Sequence, residues 1–411
     1  MPKLHQYKNI LFRTAVLITA NFAAALFGFA VISLIARKFG PAGLGEYTLA
    51  TTIIIYANLL ASFGTEIYGV TSTSSKKFTL ETMIGRIVPI RIMLSGATLL
   101  GIIALVSVVP QYSSIFYLAI FFGFTVFSYS LILTWVPQAL HKSGIIAIVN
   151  IALQASYFIG LYIAFIFNAD IIFAPAVKLF TEVLIAIALF FWIKKQIGKK
   201  IKYPKYTEII DTLKECIPIG SAQLIRGLSI SSDIILLGLF VANEAIGMYS
   251  SAHKIFLLFI SSGSAYFLIL LPRISNLSDN LVAIKNELTS SIHHVFPILL
   301  IGLAVVFVFS TYFLTLLFGS EYEEASVILR LFCITIFINI WSRHYRQVML
   351  VLNYKHEDFR MSRISCIIHV ISKSILIPLL GPIGCAIGTM LGELYLLIVQ
   401  RKFVLAKLKS V

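Results

Sequence analysis

The sequence predicts an all-α polytopic membrane protein with twelve transmembrane helices in two six-helix halves. Three observations indicate this fold class. Apolar residues make up 59% of the 411-residue chain and charged residues only 12%, whereas ordinary soluble domains carry roughly 25% charged residues. The mean hydropathy is +0.93. Twelve apolar stretches fill the chain, and each has the roughly 20 residues that a bilayer-spanning helix needs.

The spans are predicted to be helices because only helices and closed barrels satisfy the backbone inside lipid. Stretches this long and evenly apolar exclude the alternating pattern of barrel strands. In the first half the predicted spans are Val16–Ala36, Gly45–Ile67, Met83–Val109, Ile115–Pro137, Gly144–Phe167 and Ile171–Ile193. In the second half they are Leu213–Phe240, Gly247–Ile274, Val295–Phe318, Ala325–Leu350, Phe359–Leu380 and Ile383–Phe403.

The charges of the gaps between spans predict that both termini are cytoplasmic. With that orientation, the cytoplasmic gaps hold nearly all the loop cations, including the lysines between Lys194 and Lys205. The opposite gaps hold only the cations Arg37 and Lys38, as expected when positive loops stay inside. Cytoplasmic loops beside anionic lipid therefore explain the net charge of +15, which does not indicate nucleic-acid binding.

A basic linker predicts the domain organisation. Residues 194–212 separate an N-terminal half, 1–193, from a C-terminal half, 213–411. Six helices of the same polarity in each half predict a pseudo-two-fold axis along the membrane normal. Repeats of this kind give alternating access by rocking of one half against the other.

Two pairs of segments support duplication. ARKFGPAGLGEYTLA, at Ala36–Ala50, aligns with GLFVANEAIGMYSSA, at Gly238–Ala252. Glu182 of the sixth span aligns with Glu393 of the twelfth. The twelfth span also carries glycine at every fourth position (Gly384, Gly388 and Gly392), which predicts a smooth ridge for close helix approach.

Cations inside the predicted spans are the candidate binding residues. Lipid makes such charges costly, so they usually face an internal cavity. Because the intramembrane cations outnumber the acids, the sequence predicts a cavity that hosts a phosphate or diphosphate. Structural roles are the alternative: pairing of Arg226 with Asp233, or extension of an arginine toward the cytoplasmic surface. The candidates are Arg91, Arg226, Lys254, Arg343, Arg346 and Lys373.

Three intramembrane acids, Glu182, Asp233 and Glu393, are candidates for coupling transport to protons or another ion. Structural alternatives remain for each. Glu182 lies four residues after Lys178 and can pair with it. Asp233 can pair with Arg226, and Glu393 can make a helix–helix hydrogen bond.

No pattern for enzymatic chemistry is present. The sequence lacks a G-x-x-x-x-G-K-[ST] phosphate loop and an H-E-x-x-H metal motif. The cysteines fall singly in apolar helices, without metal-ligand spacing. The sequence therefore predicts a transporter with no catalytic residues, no metal and no cofactor.

Four segments carry a family resemblance. ARKFGPAGLGEYTLA after the first span is followed by FGTEIYG at Phe63–Gly69. WVPQALHKSG at Trp135–Gly144 is similar to a W-x-x-Q-G-L segment, with Ala139 in place of glycine. With GPIGCAIGTMLGE near the end, these resemble the Wzx-type flippases of bacterial polysaccharide biosynthesis. Those proteins belong to the multidrug/oligosaccharidyl-lipid/polysaccharide (MOP) exporter superfamily, whose architecture is shared with multidrug and toxic-compound extrusion (MATE) transporters.

The resemblance implies a flippase of the bacterial cytoplasmic (inner) membrane. Its substrate would be an undecaprenyl-diphosphate-linked oligosaccharide repeat unit, of O-antigen or another surface polysaccharide, moved to the periplasmic leaflet. Membrane lipid and a polysaccharide polymerase of the same pathway are the implied partners. The main alternative is a MATE-type cation antiporter, which should favour acids in its cavity. A peptidoglycan-precursor flippase, a polymerase or ligase, and a scaffold without transport are the others.

Overall fold

The computed structural model describes residues 2–197, 201–202, 204–277 and 280–409. Within these ranges it describes the helix, but not the side chain, at 2–18, 21, 143, 225–226, 228–231, 264–265, 268–269, 272 and 409. The described residues form helices and no β-strand. The all-α fold class is therefore confirmed.

The described helices, in chain order, are α1 (Pro2–Ser62), α2 (Thr65–Ser74), α3 (Leu80–Val108), α4 (Phe116–Gly123), α5 (Thr125–Leu131), α6 (Trp135–Ala139), α7 (Ser143–Ile166), α8 (Ala174–Gln196), α9 (Tyr206–Phe240), α10 (Asn243–Ser275), α11 (Leu281–Val308), α12 (Ser310–Phe318), α13 (Ser326–Val351) and α14 (Lys355–Lys409). Short 3₁₀ turns at Pro110–Ile115, Ile171–Phe173 and Ser320–Ala325 precede α4, α8 and α13.

Eight segments of the described chain are long and apolar enough to cross a bilayer. Two of them, Phe22–Ser74 and Lys355–Leu408, have 53 and 54 residues. At about 1.5 Å per residue, either would extend far beyond a hydrocarbon layer about 30 Å thick. Each therefore holds two crossings, and α9 and α10, only part of which could be searched, occupy the two remaining predicted positions. The chain is a multi-pass membrane protein.

Glycine–proline pairs divide both long helical segments. Gly40 and Gly381 have φ of +66° and +56°, a left-handed conformation that glycine adopts without strain. Each is followed by a proline, Pro41 or Pro382, whose fixed φ suits the first turn of a new helix. One residue pair thus ends one predicted span and begins the next.

The predicted glycine ridge is confirmed within α14. The residues after Gly381 pack back against those before it in antiparallel order, as in a helical hairpin. A methyl group at Gly388 would lie 2.7 Å from Cγ of Lys373, so glycine is needed for this separation. The contacting pairs are Gly384 with Leu376, Gly388 with Lys373, and Gly392 with His369.

Two predicted continuous spans are interrupted. The second breaks between α1 and α2, where Phe63 and Gly64 have φ of +29° and +79°. There the backbone approaches α9 closely, with Gly64 against Gly220. The fourth span consists of the short helices α4, α5 and α6. The expectation of unbroken helices was wrong here, because the composition of a segment does not specify its backbone breaks.

The chain divides into two compact units. The first comprises Met1–Ile35 and Glu46–Ile235, and the second comprises Ala36–Gly45 and Leu236–Val411. Most of α9 belongs to the first unit, so that unit extends beyond the basic linker. The division of the chain at residues 194–212 stays a prediction.

In the first unit, two of the segments that carried the family resemblance meet. Gly69 of FGTEIYG lies against the indole of Trp135, and a methyl group there would be 2.8 Å from the ring. Trp135 is fully buried in a cluster with Met83 and Ile87. The glycine and the tryptophan therefore form one packing contact.

In the second unit, the two segments aligned as an internal repeat contact each other reciprocally. Gly45 packs against the backbone of Asn243. Gly247 packs in the same way against the backbone of Pro41. In the alignment Gly45 corresponds to Gly247 and Pro41 to Asn243, so each segment makes the same contact with the other. This is the pattern of a self-complementary, two-fold contact, and it supports duplication.

Candidate functional site

Arg91 is the most deeply buried cation of the first unit. Its side chain, on α3, is 0% exposed, so it does not extend to the membrane surface. Nε donates to Oγ1 of Thr65 at 2.8 Å, and Nη2 lies 3.3 Å from Oε1 of Glu66. Both partners begin α2, and the interruption of the second span places them beside α3. Arg91 therefore has a structural ion pair.

The Arg91 guanidinium keeps unused donors. Nη1 and Nη2 make no hydrogen bond within the part of the chain that the structure describes. Arginine offers five N–H donors, and Thr65 satisfies only one of them with good geometry. A buried arginine of this kind has the capacity to bind an anion when the surrounding helices separate.

Glu182 on α8 makes a hydrogen bond that the sequence did not predict. Oγ of Ser128, on α5, donates to Oε2 at 2.5 Å. The predicted partner, Lys178, lies 4.0 Å from Oε1, at the outer limit of an ion pair. The local i,i+4 pair is therefore present, and the shorter contact comes from another helix.

Asp233 is buried on α9. Its predicted partner, Arg226, lies in the same helix, but the Arg226 side chain is outside the described residues. Pairing of these two groups stays a prediction.

Glu393 on α14 has an equivalent environment in the second unit. Nδ2 of Asn339, on α13, donates to Oε2 at 2.9 Å. The charges of Arg343, Lys373 and Arg346 act on this carboxylate. One acid thus lies among several cations, as the sequence predicted for the cavity as a whole.

The hydrogen bonds of the two acids match in sequence spacing. Ser128 and Glu182 are 54 residues apart, and so are Asn339 and Glu393. In both halves a neutral polar residue of the fourth predicted span donates to an acid of the sixth. This repeated contact supports the alignment of Glu182 with Glu393.

The remaining candidate cations differ in their surroundings. Lys373 is 2% exposed and lies over Gly388. Lys254 on α10 is partly buried and makes no ion pair or hydrogen bond within the described residues. An unpaired ammonium inside a membrane segment is costly, so Lys254 is the candidate with the clearest unmet need for an anion.

Arg346 belongs to a structural network at the end of α13. Its Nε lies 3.2 Å from both carboxylate oxygens of Asp358, at the start of α14. Gln400 donates to the same carboxylate at 3.3 Å and accepts from Ser342 at 2.7 Å. The ion pair favours the structural alternative for Arg346, although half of its side chain stays exposed.

The sequence reasoning missed the neutral partners Thr65, Ser128 and Asn339 because uncharged polar residues are common in membrane helices. The acid Asp358 was missed because it lies just outside a predicted span. The repeat could have identified Ser128 and Asn339, since each precedes an aligned acid by the same interval. In the described part of the chain, no group of three or more His, Cys, Asp or Glu residues is arranged to hold a metal ion.

Comparison with known proteins places this geometry in context. A family model described as polysaccharide biosynthesis protein matches residues 10–278. No curated protein matches the chain.

Several solved structures share the fold. An inward-facing MATE family multidrug resistance transporter of the MOP superfamily is 13% identical, with a TM-score of 0.73 over 94% of this chain and 95% of that one. The lipid II flippase MurJ, in an inward closed conformation, is 18% identical, with a TM-score of 0.69 over 93% and 87%. A MOP superfamily transporter from Pyrococcus furiosus is 14% identical, with a TM-score of 0.59 over 97% and 96%. At these identities the likeness establishes the fold alone.

Proposed function

The chain belongs to the polysaccharide biosynthesis protein family, and on that basis we propose that it is a flippase for a lipid-linked oligosaccharide. The substrate would be an undecaprenyl-diphosphate-linked repeat unit of O-antigen or another surface polysaccharide. It would move from the cytoplasmic to the periplasmic leaflet of a bacterial inner membrane, with both protein termini in the cytoplasm. The family match over residues 10–278 is the observation that carries this proposal.

The buried cations support an anionic substrate. Arg91 has unused N–H donors, and Lys254 has no partner among the described residues. A diphosphate offers several charged oxygens and binds guanidinium and ammonium groups strongly. These side chains would offset the large cost of moving a diphosphate through the hydrocarbon region.

Alternating access would complete the cycle. The polyprenyl tail would stay in lipid while the sugar and the diphosphate pass through a hydrated cavity that opens to one leaflet at a time. No bond of the substrate changes, so the proposal requires no catalytic group. Glu182, Asp233 or Glu393 would couple this movement to protons or another ion, and a polysaccharide polymerase would receive the product.

A MATE-type cation antiporter is the main alternative, because the fold is shared with such transporters. A cavity for organic cations needs acids in excess. In the described residues around Glu393, three cations act on one carboxylate. That sign of charge favours an anionic substrate.

The first test is the leaflet in which lipid-linked repeat units reside after the protein is depleted from its host. We expect them to accumulate on the cytoplasmic side and to return to normal when the protein is restored. Normal glycan export, combined with new sensitivity to cationic drugs, would contradict the flippase and favour the antiporter. Normal export and unchanged drug sensitivity would contradict both.

A further inference from the structure

A groove with entirely apolar walls lies within the first unit, away from the buried charges. It runs between α3 and α8, with the end of α5 as its floor, and has a volume of about 490 Å³. The described residues that line it include Val88, Leu133, Ile187 and Phe190. Nothing in the proposed passage of the diphosphate requires this groove, so it needs its own explanation.

Local breaks in regular structure create the groove. Pro89 lies inside α3, and it leaves the carbonyl of Gly85 without its helical donor. Gly85 contributes no side chain to the wall. On the other side, α5 ends at Leu131, so the chain turns away where a continuous fourth helix would have filled the space.

The groove is open along the surface that faces lipid. Ile187 and Phe191 on α8 line it and are 47% and 59% exposed. Both lie within a membrane-spanning helix, so the material that enters the groove is hydrocarbon.

One end of the groove is strongly basic. Lys194 and Lys195 lie four residues after Phe190 and Phe191, so they continue the same helix face one turn farther along. Both lysines are exposed and make no hydrogen bond or ion pair within the described residues. Ile201 of the linker lines the groove at this end, which loop charge predicts to be cytoplasmic.

We propose that this groove binds the isoprenoid tail of the lipid-linked substrate in the cytoplasmic leaflet, with the diphosphate held at Lys194 and Lys195. The inference rests on the proposed function and adds an entry site to it. An apolar channel that ends at two unpaired cations on the same helix face matches an amphiphile with one long chain and a compact anionic head.

Selectivity must come from shape and charge. Transfer of a tail from bilayer to groove brings little hydrophobic gain, because lipid tails are as apolar as the groove wall. A branched isoprenoid fits the irregular space between α3 and α8, and two lysines favour a diphosphate over a phospholipid with a single negative charge. Bulk phospholipid is therefore expected to compete weakly.

Photocrosslinking tests the assignment directly. The full chain, reconstituted in phosphatidylcholine vesicles, is irradiated with a benzophenone-bearing isoprenyl diphosphate, and the adducts are mapped by mass spectrometry. We expect adducts on α3 and α8 at the groove, suppressed by undecaprenyl phosphate and not by equimolar phosphatidylglycerol. Adducts elsewhere, or equal suppression by phosphatidylglycerol, would show ordinary lipid contact and overturn the proposal.

A pair of matched variants locates the site. Ile187→Trp fills the groove from its open side, and we expect crosslinking to fall about fivefold, the equivalent of a modest steric penalty. Ile159→Trp is the control, because Ile159 on α7 is 53% exposed and does not line the groove. Equal yields in these two variants, at equal abundance, would contradict the inference.

A second pair tests the headgroup end. Lys194→Gln/Lys195→Gln should abolish the preference for the diphosphate probe over an isoprenol probe that carries the same chain. Lys76→Gln/Lys77→Gln removes the same charge elsewhere at the predicted cytoplasmic surface and should retain the preference. Loss of the preference in both pairs, or in neither, would overturn the role of the two lysines.

Binding is measured without translocation, so the two proposals fail separately. Groove binding without flipping in vesicles would contradict the proposed function and leave a lipid-binding site. Flipping that is unchanged in Ile187→Trp, together with unchanged crosslinking, would contradict the groove alone.

Discussion

Arg91 and Lys254 are both cations within membrane helices, and their neighbours give them different roles. Arg91 is fully buried, bonded to Thr65 and paired with Glu66, so its removal would leave buried groups without their partner. Such losses cost about 1–3 kcal/mol each. Arg91 therefore contributes to folding as well as to any anion site. Lys254 has no described partner, which makes it the better residue for a functional test.

We predict that Lys254→Ala lowers translocation at least about tenfold, because a charge-assisted hydrogen bond to phosphate contributes roughly 1.5–3 kcal/mol. Protein abundance in the membrane should stay unchanged, since no described ion pair is broken. The leaflet assay with an immunoblot measures both quantities. Lys76→Ala, in an exposed turn, is the control and should be nearly silent. Full translocation in Lys254→Ala would contradict the anion site at this position.

At the scale of elements, helix contacts depend on glycine at specific positions. A methyl group at Gly247 would meet the backbone oxygen of Pro41, and backbone cannot rotate away as a side chain can. A methyl group at Gly101, in the middle of α3, would meet nothing within 4 Å. The two positions form a matched pair.

We predict that Gly247→Ala lowers the stability of the protein by about 1–3 kcal/mol, the usual cost of overpacking. Gly101→Ala should be neutral or stabilising by about 0.5–1 kcal/mol, because alanine favours a helix. Thermal unfolding of the purified variants in detergent measures the difference. Equal melting temperatures would mean that the reciprocal glycine contact does not hold these segments together.

The linker is attached to the first unit through Glu208, outside the membrane spans. The backbone N–H of Lys205 donates to this carboxylate at 2.8 Å, and Arg86 forms an ion pair with it. The Lys205 hydrogen bond, and then Arg86, lower the pKa of Glu208 below its ordinary value of 4.5. The contact therefore stabilises the linker above about pH 4.5 and is lost as the pH falls through the lower folded pKa.

We predict that a spin label at Lys202→Cys keeps constant mobility from pH 7 to pH 5 and gains mobility only below about pH 4.5. In a background of Glu208→Gln, the label should be mobile throughout this range. Electron paramagnetic resonance measures the mobility. A transition near pH 6 in the parent protein would assign the attachment to a group other than Glu208.

At the scale of the whole molecule, the repeat places one hydrogen-bonded acid in each half. Glu182 has a lysine on the same helix, whereas Glu393 has three cations acting on it and an amide donor from α13. These surroundings differ although the spacing is the same. Duplication has thus produced two acid sites that can carry different roles.

We predict that Glu393→Gln removes the stimulation of translocation by a proton gradient and leaves slower downhill movement. Glutamine keeps the hydrogen-bonding shape and loses the ability to exchange a proton. Reconstituted vesicles with and without a pH gradient measure the effect. Glu324→Gln, at an exposed acid, is the control. Retained stimulation in both Glu393→Gln and Glu182→Gln would exclude these acids as carriers.

The sequence alone determined the class of fold, the membrane location and the family. Hydrophobic length and composition act over about 20 residues at a time, so they can be seen without any tertiary contact. The glycine ridge of α14 and the ion pair of Lys178 with Glu182 were also predictable, since both follow from the spacing of residues on neighbouring helical turns.

Only the tertiary structure decided which groups surround each buried charge. Thr65 reaches Arg91 across 26 residues, and Ser128 and Asn339 reach their acids across 54. The break at Phe63 and Gly64, and the gap beyond Leu131 that opens the groove, also depend on neighbouring helices. Hydrogen bonds between helices require atoms to lie within about 3 Å of each other, and the spacing of residues along one helix carries no information about that distance.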